Sequence, residues 1–305
     1  MPLKKSSHYE FFGSIPAIVT PFKKNGDLDL PAFRKIIDYQ LAGGVDGIVV
    51  AGSTGEGATL SEEEFVTLLK AVIHRVAGKV PVIAGAGSND TKKAVRLSKL
   101  AGAAGADGLL HVTPYYNKPT EEGLLAHFKA IGEATDLPVI LYNVPGRTGS
   151  NVLPRVIVRI AREAKTVVAV KEASGSVGQM AEIISETAKN GPKNFAVLSG
   201  DDALSLPLIA LGGQGCISVV CNEAPGLFSD LIHFALDGNM QEARRLHYVL
   251  LPLMNLNFIE SNPIPLKAAL AKMGLIEENL RLPLCPLSEK NRFSLHQALQ
   301  ELKLI

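Results

Sequence analysis

The residue with the clearest chemical potential in this sequence is Lys171, which directly follows the apolar run 167–170. That run, Val-Val-Ala-Val, predicts a strand buried on both faces, as parallel strands are. A lysine at the end of such a strand is costly unless its ammonium is paired or the site uses a neutral amine. A lone lysine more often reaches past the strand end into solvent, so the surrounding elements must decide between the two interpretations.

Those elements alternate between short apolar segments and amphipathic helical segments from Ser14 to about Asp237. The candidate strands are 15–19, 47–50, 80–84, 108–110, 138–142, 167–170, 195–198 and 216–219. Eight strands, each followed by a helix, predict an α/β protein, a closed (β/α)8 TIM barrel. A doubly wound open sheet is the alternative, but no Gly-x-Gly-x-x-Gly opens a helix after the first strand.

The predicted barrel occupies residues 13–238, after an N-terminal tail at 1–12. From about Asn239 the pattern contains helices alone, so residues 239–305 are predicted to form a C-terminal helical region. One local signal is specific: Ser61 with Glu64 is typical of a capping box at a helix start.

TIM barrels carry their active sites at the C-terminal ends of the strands. This rule selects one small group of residues, drawn from six strand ends: Ser53, Thr54, Tyr115, Tyr116, Tyr142, Arg147, Lys171, Gly200 and Ile217. An amine, several hydroxyls and a guanidinium would then converge, which suits carbonyl chemistry on an anionic substrate. Each signal has a structural alternative, since the paired tyrosines are also typical of loop packing and Arg147 of a surface turn.

The residue types indicate a mechanism. A lysine pKa is near 10.4 in water, but desolvation lowers it and allows the amine to attack a ketone and form a Schiff base. The protonated imine withdraws electrons, so the neighbouring carbon loses a proton and becomes a nucleophilic enamine. Tyrosine and serine hydroxyls can carry the protons, and Arg147 can bind a carboxylate through two hydrogen bonds. This chemistry requires no cofactor and no metal.

Composition excludes several other classes of function. The 305 residues carry 31 Lys and Arg against 30 Asp and Glu, a net charge of +1, with 47% hydrophobic and 20% charged residues. We therefore expect no nucleic-acid partner and no membrane surface. No apolar run reaches the ~18 residues of a membrane span. Residues 1–10 lack the apolar core of a signal peptide, and the three cysteines show no metal-ligand spacing, which favours the cytoplasm.

Two motifs carry a resemblance to a known family. Residues 52–56 read Gly-Ser-Thr-Gly-Glu, and residues 142–149 read Tyr-Asn-Val-Pro-Gly-Arg-Thr-Gly, with Lys171-Glu172-Ala173 downstream. From Gly13 to about Pro286 the chain resembles the class I pyruvate aldolases of the dihydrodipicolinate synthase / N-acetylneuraminate lyase family. The arginine at 147 and the Thr-Pro-Tyr-Tyr-Asn stretch at 113–117 are similar to the synthase branch, which condenses pyruvate with L-aspartate 4-semialdehyde.

The resemblance implies a role for each candidate residue. Lys171 would form the Schiff base, and Tyr142 would assist proton transfer with Ser53 and with Tyr116, the last contributed across a subunit contact. Thr54, Gly200 and the backbone at Ile217 would hold pyruvate, and Arg147 would hold the carboxylate of the second substrate. The family also implies a homotetramer, a dimer of dimers.

Two departures leave alternatives open. Most synthases have threonine where this chain has Ser53, and a serine there is common in the lyases, which favours a pyruvate-dependent aldolase or dehydratase acting on a 2-keto-3-deoxy sugar acid or a related keto acid. A non-catalytic keto-acid-binding barrel is a third possibility. Lysine-inhibited synthases have polar and acidic side chains at the positions of Phe65 and Lys93, so this chain is expected to respond weakly or not at all to lysine.

Overall fold

The computed structural model describes residues 11–305. The predicted N-terminal tail therefore lies outside the described residues, except for positions 11 and 12. Within the described range eight short strands follow one another along the chain. They are β1 (Gly13–Pro16), β2 (Ile48–Val50), β3 (Val82–Gly85), β4 (Gly108–Val112), β5 (Val139–Asn143), β6 (Val167–Glu172), β7 (Ala196–Ser199) and β8 (Gly215–Ser218).

The strands form one parallel sheet that closes on itself. Its order is β1-β8-β7-β6-β5-β4-β3-β2, and β1 pairs with β8 through Ile15 and Ile217. The open edges meet at a parallel bridge between Ala17 and Val49, where the Ile18 amide donates to the Val49 carbonyl at 3.0 Å. The predicted TIM barrel is confirmed, and a closed barrel leaves no sheet edge unpaired.

Helices alternate with the strands and then continue alone. They are α1 (Leu30–Ala42), α2 (Glu62–Val76), α3 (Thr91–Ala104), α4 (Glu121–Ala134), α5 (Pro145–Thr148), α6 (Pro154–Glu163), α7 (Val177–Asn190), α8 (Ser205–Ala210), α9 (Pro225–Leu236), α10 (Met240–Leu256), α11 (Ile264–Lys272) and α12 (Glu289–Glu301). The capping box of Ser61 and Glu64 starts α2 as predicted, with both hydrogen bonds formed. The helices α10 to α12 make up the helical region expected from residue 239, although its status as a separate domain stays a prediction.

Two apolar layers hold the barrel in shape. The inner layer fills the barrel itself with side chains from all eight strands, including Ile15, Val49, Ile83, Ile140 and Leu198. The outer layer lies between the strands and the helices. Because large aliphatic side chains fill the interior, the barrel is a packed core rather than a pore, and open space is left at its mouth.

Several strand ends differ by a few residues from the sequence prediction, and the end of β6 bears on the site. β6 does not end before Lys171 but continues through Glu172, because both residues pair with Tyr142 and Asn143 of β5. Residues 145–148 form a helical turn, since Pro145 has the fixed backbone angle that suits a first helical position. Within residues 11–305 no helix is both long enough and apolar enough to cross a lipid bilayer.

Candidate active site

Lys171 lies on the inner face of β6, where the barrel opens. Its side chain is 6% exposed, so the amine does not reach out into solvent. The Nζ atom lies 4.4 Å from the centroid of the Tyr142 ring, because the register of the two strands sets Lys171 directly beside Tyr142. The structure thus supports the buried-amine interpretation of Lys171.

One cavity opens at this mouth of the barrel and contains most of the predicted site residues. Ser53, Thr54, Tyr142, Arg147, Lys171 and Gly200 line it. Among its other lining residues are Asp201, Val219 and Asn262. Amine, hydroxyl and guanidinium groups from three parts of the chain, residues 53–54, residues 142–147 and Lys171, therefore share one space.

Gly200 is a glycine for a steric reason. A Cβ at this position would lie 2.7 Å from the Cβ of Ala173 and 2.9 Å from Cε of Lys171. Both distances are shorter than van der Waals contact, so any larger residue would displace the lysine side chain. Gly200 therefore leaves the space in which the amine lies against Tyr142.

The structure does not bring Tyr116 or Ile217 into the cavity. Tyr116 is 89% exposed, and its φ of 73° lies in the left-handed region, which is uncommon for residues other than glycine. Ile217 is fully buried in the inner layer of the barrel, while Val219 lines the cavity in its place. The expectations for a second subunit and for the Ile217 backbone stay predictions.

The loop that carries Ser53 and Thr54 is fixed by the C-terminal helical region. Glu56 in this loop forms a buried ion pair with Lys267 of α11. The amide of Arg281 donates a second hydrogen bond to Glu56 Oε2 at 3.1 Å. Glu56 itself has a φ of 52°, a strained conformation that these contacts maintain.

Asn262 connects two of the predicted substrate-binding residues, and sequence reasoning missed it. Its Nδ2 donates to Thr54 Oγ1 at 2.9 Å, and its backbone carbonyl accepts from Arg147 Nη2 at 3.1 Å. The local signal that could have found it is the Asn-Pro-Ile-Pro segment at 262–265, which begins a helix in a region otherwise free of site motifs.

Buried carboxyl groups lie on the other side of the cavity. Burial raises the pKa of Asp201, which lines the cavity, and of Asp202, which is completely enclosed. Asp202 Oδ2 accepts hydrogen bonds from the amides of Val219 at 3.1 Å and Val220 at 2.8 Å. Asp202 thereby fixes the segment that follows β8, including the lining residue Val219.

In the part of the chain that the structure describes, no group of three or more His, Cys, Asp or Glu side chains is arranged to hold a metal ion.

The fold and the site together indicate a class of protein, the TIM-barrel enzymes that use a lysine amine on a keto acid. Comparison with known proteins narrows that class, since the model of the dihydrodipicolinate synthetase family matches residues 10–302. The chain belongs to the dihydrodipicolinate synthetase family.

Individual relatives agree over almost the whole chain. The 4-hydroxy-tetrahydrodipicolinate synthase of Maridesulfovibrio salexigens is 50% identical over 295 residues, which is 97% of this chain and 99% of the relative. The crystal structure of dihydrodipicolinate synthase from Thermotoga maritima superposes with a TM-score of 0.94 at 47% identity, covering 97% of this chain and 100% of that one. The chloride-inhibited enzyme from Acinetobacter baumannii, solved with pyruvate, gives a TM-score of 0.93 at 45% identity, covering 96% and 99%.

Proposed function

We propose that this protein condenses pyruvate with L-aspartate 4-semialdehyde to 4-hydroxy-tetrahydrodipicolinate, a step of lysine and diaminopimelate biosynthesis. The observation that carries the proposal is the buried Lys171 amine above the Tyr142 ring, in a cavity that Arg147 also lines. The relatives described above are named for this reaction, which therefore takes the place of the sugar-acid and non-catalytic alternatives. The enzyme is a pyruvate-dependent lyase.

The first step is formation of a Schiff base on Lys171. The neutral amine attacks the ketone carbon of pyruvate to give a carbinolamine, whose hydroxyl accepts a proton and leaves as water, so that a protonated imine remains. The imine then draws electrons from the pyruvate methyl group, which loses a proton to give an enamine.

Hydroxyl groups move the protons in these steps. The Tyr142 ring lies against the Lys171 amine, 4.4 Å from Nζ to the ring centroid, and Ser53 lines the same cavity. Tyr116, exposed on this copy, completes the relay in the cavity of a second copy. We infer a homotetramer, a dimer of dimers, from the family resemblance and from this exposed tyrosine.

Two polar groups hold the two carboxylates. Thr54 binds the carboxylate of pyruvate with help from Gly200 and the backbone at Ile217, while Arg147 binds that of the semialdehyde through its planar fork of donors. The enamine attacks the aldehyde carbon, whose oxygen becomes the 4-hydroxyl group. The substrate amino group then displaces Lys171 from the imine carbon and closes the ring, so one water is lost overall.

We place this reaction in the cytoplasm, where the three free cysteines remain reduced.

The test is reductive trapping followed by a condensation assay. The protein is incubated with pyruvate and borohydride, and the adduct is located by mass spectrometry. We expect it on Lys171 and not on Lys267, the matched control, which is also buried but is paired with Glu56. Condensation with the semialdehyde is then assayed separately, without borohydride. An adduct absent from Lys171 would refute the mechanism, and an adduct without condensation would return the sugar-acid alternative.

A further inference from the structure

Asn262 contacts both Thr54 and Arg147, the proposed carboxylate-binding residues, but through different atoms. Its side chain, 4% exposed, donates through Nδ2 to Thr54 Oγ1 at 2.9 Å. Its backbone carbonyl, which any residue would supply, accepts from Arg147 Nη2 at 3.1 Å. The side chain therefore acts on Thr54 alone, while the contact with Arg147 does not depend on the residue type.

We propose that Asn262 is a positioning residue that directs the Thr54 hydroxyl proton toward the pyruvate carboxylate and so sets the affinity for pyruvate. The inference rests on the proposed function, because it takes Thr54 as the group that binds pyruvate. It assigns to the C-terminal helical region a part in substrate selection. Neither the barrel rule nor the two sequence motifs point to this residue.

The argument depends on which atoms can donate. A threonine hydroxyl has one proton and accepts through its oxygen, whereas an amide NH2 group only donates. Because Thr54 Oγ1 accepts from Asn262, its own proton must point elsewhere, and Thr54 lines the cavity. A hydroxyl that donates into the cavity suits a carboxylate, which only accepts.

The reverse orientation of the amide would have the opposite effect. The Asn262 carbonyl oxygen would accept the Thr54 proton, and the hydroxyl would then offer a lone pair to an anionic substrate. In the structure Asn262 Oδ1 is buried without a hydrogen-bond partner. The end of the amide that bonds to Thr54 is therefore Nδ2, the end that only donates.

The experiment measures half-saturation by pyruvate in borohydride trapping, without the second substrate, and then KM for the semialdehyde. For Asn262→Ala we expect the pyruvate value to rise about three- to tenfold, the size of one neutral hydrogen bond. The semialdehyde KM should stay within about twofold, because the backbone carbonyl still binds Arg147. Asn190→Ala, on the exposed side of α7, serves as the matched control.

A double-mutant cycle separates positioning from a purely structural effect. On a Thr54→Val background, Asn262→Ala should change pyruvate half-saturation by less than about twofold, since no hydroxyl remains to be directed. Equal increases for both substrates, or full additivity with Thr54→Val, would overturn the inference.

Asn262→Asp provides an independent readout if the alanine variant folds poorly. Aspartate keeps the shape of asparagine, but it only accepts hydrogen bonds and carries a charge that repels the pyruvate carboxylate. Half-saturation by pyruvate should therefore be higher for Asn262→Asp than for Asn262→Ala, and wild-type affinity in the aspartate variant would contradict the proposal. Absence of an adduct on Lys171 in the wild-type protein would instead refute the proposed function itself.

Discussion

Replacing Lys267 with methionine should destabilise the protein strongly. The Lys267 ammonium and the Glu56 carboxylate are 0% and 1% exposed and form an ion pair. The ammonium also donates to the Asn279 carbonyl at 2.8 Å and lies 4.3 Å from the Phe22 ring centroid. Methionine fills much of the same space but cannot donate a hydrogen bond or carry a charge.

The magnitude follows from what the substitution leaves behind. Burial lowers the pKa of Lys267, while the attraction to Glu56 opposes that effect. Without the ammonium, the Glu56 carboxylate keeps the Arg281 amide as a donor, at 3.1 Å. Removing one partner of a buried ion pair costs about 3–5 kcal/mol, because the remaining charge is uncompensated. We expect Lys267→Met to lower the free energy of unfolding by that amount.

Urea unfolding followed by far-ultraviolet circular dichroism measures the effect. The protein concentration is held fixed, because assembly contributes to apparent stability. Arg75→Met is the control, since Arg75 forms an ion pair with Asp38 in which the two side chains are 50% and 45% exposed, and we expect the unfolding midpoint to change little. The double variant Glu56→Gln with Lys267→Met should recover part of the loss, because no unpaired charge stays buried.

Two results would refute this reasoning. The first is a Lys267→Met protein that is as stable as Arg75→Met, which would mean that the buried pair contributes no more than the exposed one. The second is a double variant that is less stable than Lys267→Met alone, which would mean that the residual Glu56 charge is not the cause of the loss.

Three further predictions concern the cavity, the barrel wall and regulation. Gly200→Ala places a methyl group 2.9 Å from Lys171 Cε, so pyruvate trapping should slow about tenfold. The control is Gly226→Ala, because a Cβ at that position meets open space. Equal trapping rates in the two variants would contradict the steric argument. Burial lowers the pKa of His111 from 6.5 to about 3, so the neutral form stabilises the fold fully above pH 6.5 and its contribution is lost as the pH falls toward 3. His111→Gln should therefore reduce the stability lost between pH 6.5 and 4.5 by roughly 2–3 kcal/mol in urea titrations, and an unchanged pH dependence would count against the assignment. Phe65 is buried and Lys93 is cationic and exposed, so lysine should inhibit condensation weakly or not at all, and half-maximal inhibition at sub-millimolar lysine would refute this.

Much of the site could be predicted because the C-terminal ends of all the strands lie at the same end of a TIM barrel. The apolar strand runs and the strand-end rule are sufficient to place Lys171 near Tyr142, and Gly200 directly after the next strand. Arg147 follows from the same rule, since it lies a few residues beyond β5. Each of these placements needs only local periodicity and the order of the strands.

The remaining features depend on contacts between distant parts of the chain. Asn262 meets Thr54 across 208 residues, and Lys267 meets Glu56 across 211. Local sequence patterns do not indicate where the C-terminal helices pack on the barrel. Neither contact could therefore be predicted from periodicity. Tyr116 shows the other limit, since it follows the end of β4 as expected but is exposed and does not line the cavity.

The ion pair of Glu56 with Lys267 has a consequence for the order of events during protein synthesis. Chains grow from the N-terminus, at about 5–20 residues per second, and domains fold as they emerge. All eight strands are present once Ser218 has been made, yet Lys267 and the Arg281 amide that hold Glu56 come later. A nascent chain stalled between these points contains all eight strands, but the loop of Ser53 and Thr54 still lacks its anchors. The ability to bind pyruvate should therefore be acquired late in translation, after the fold itself.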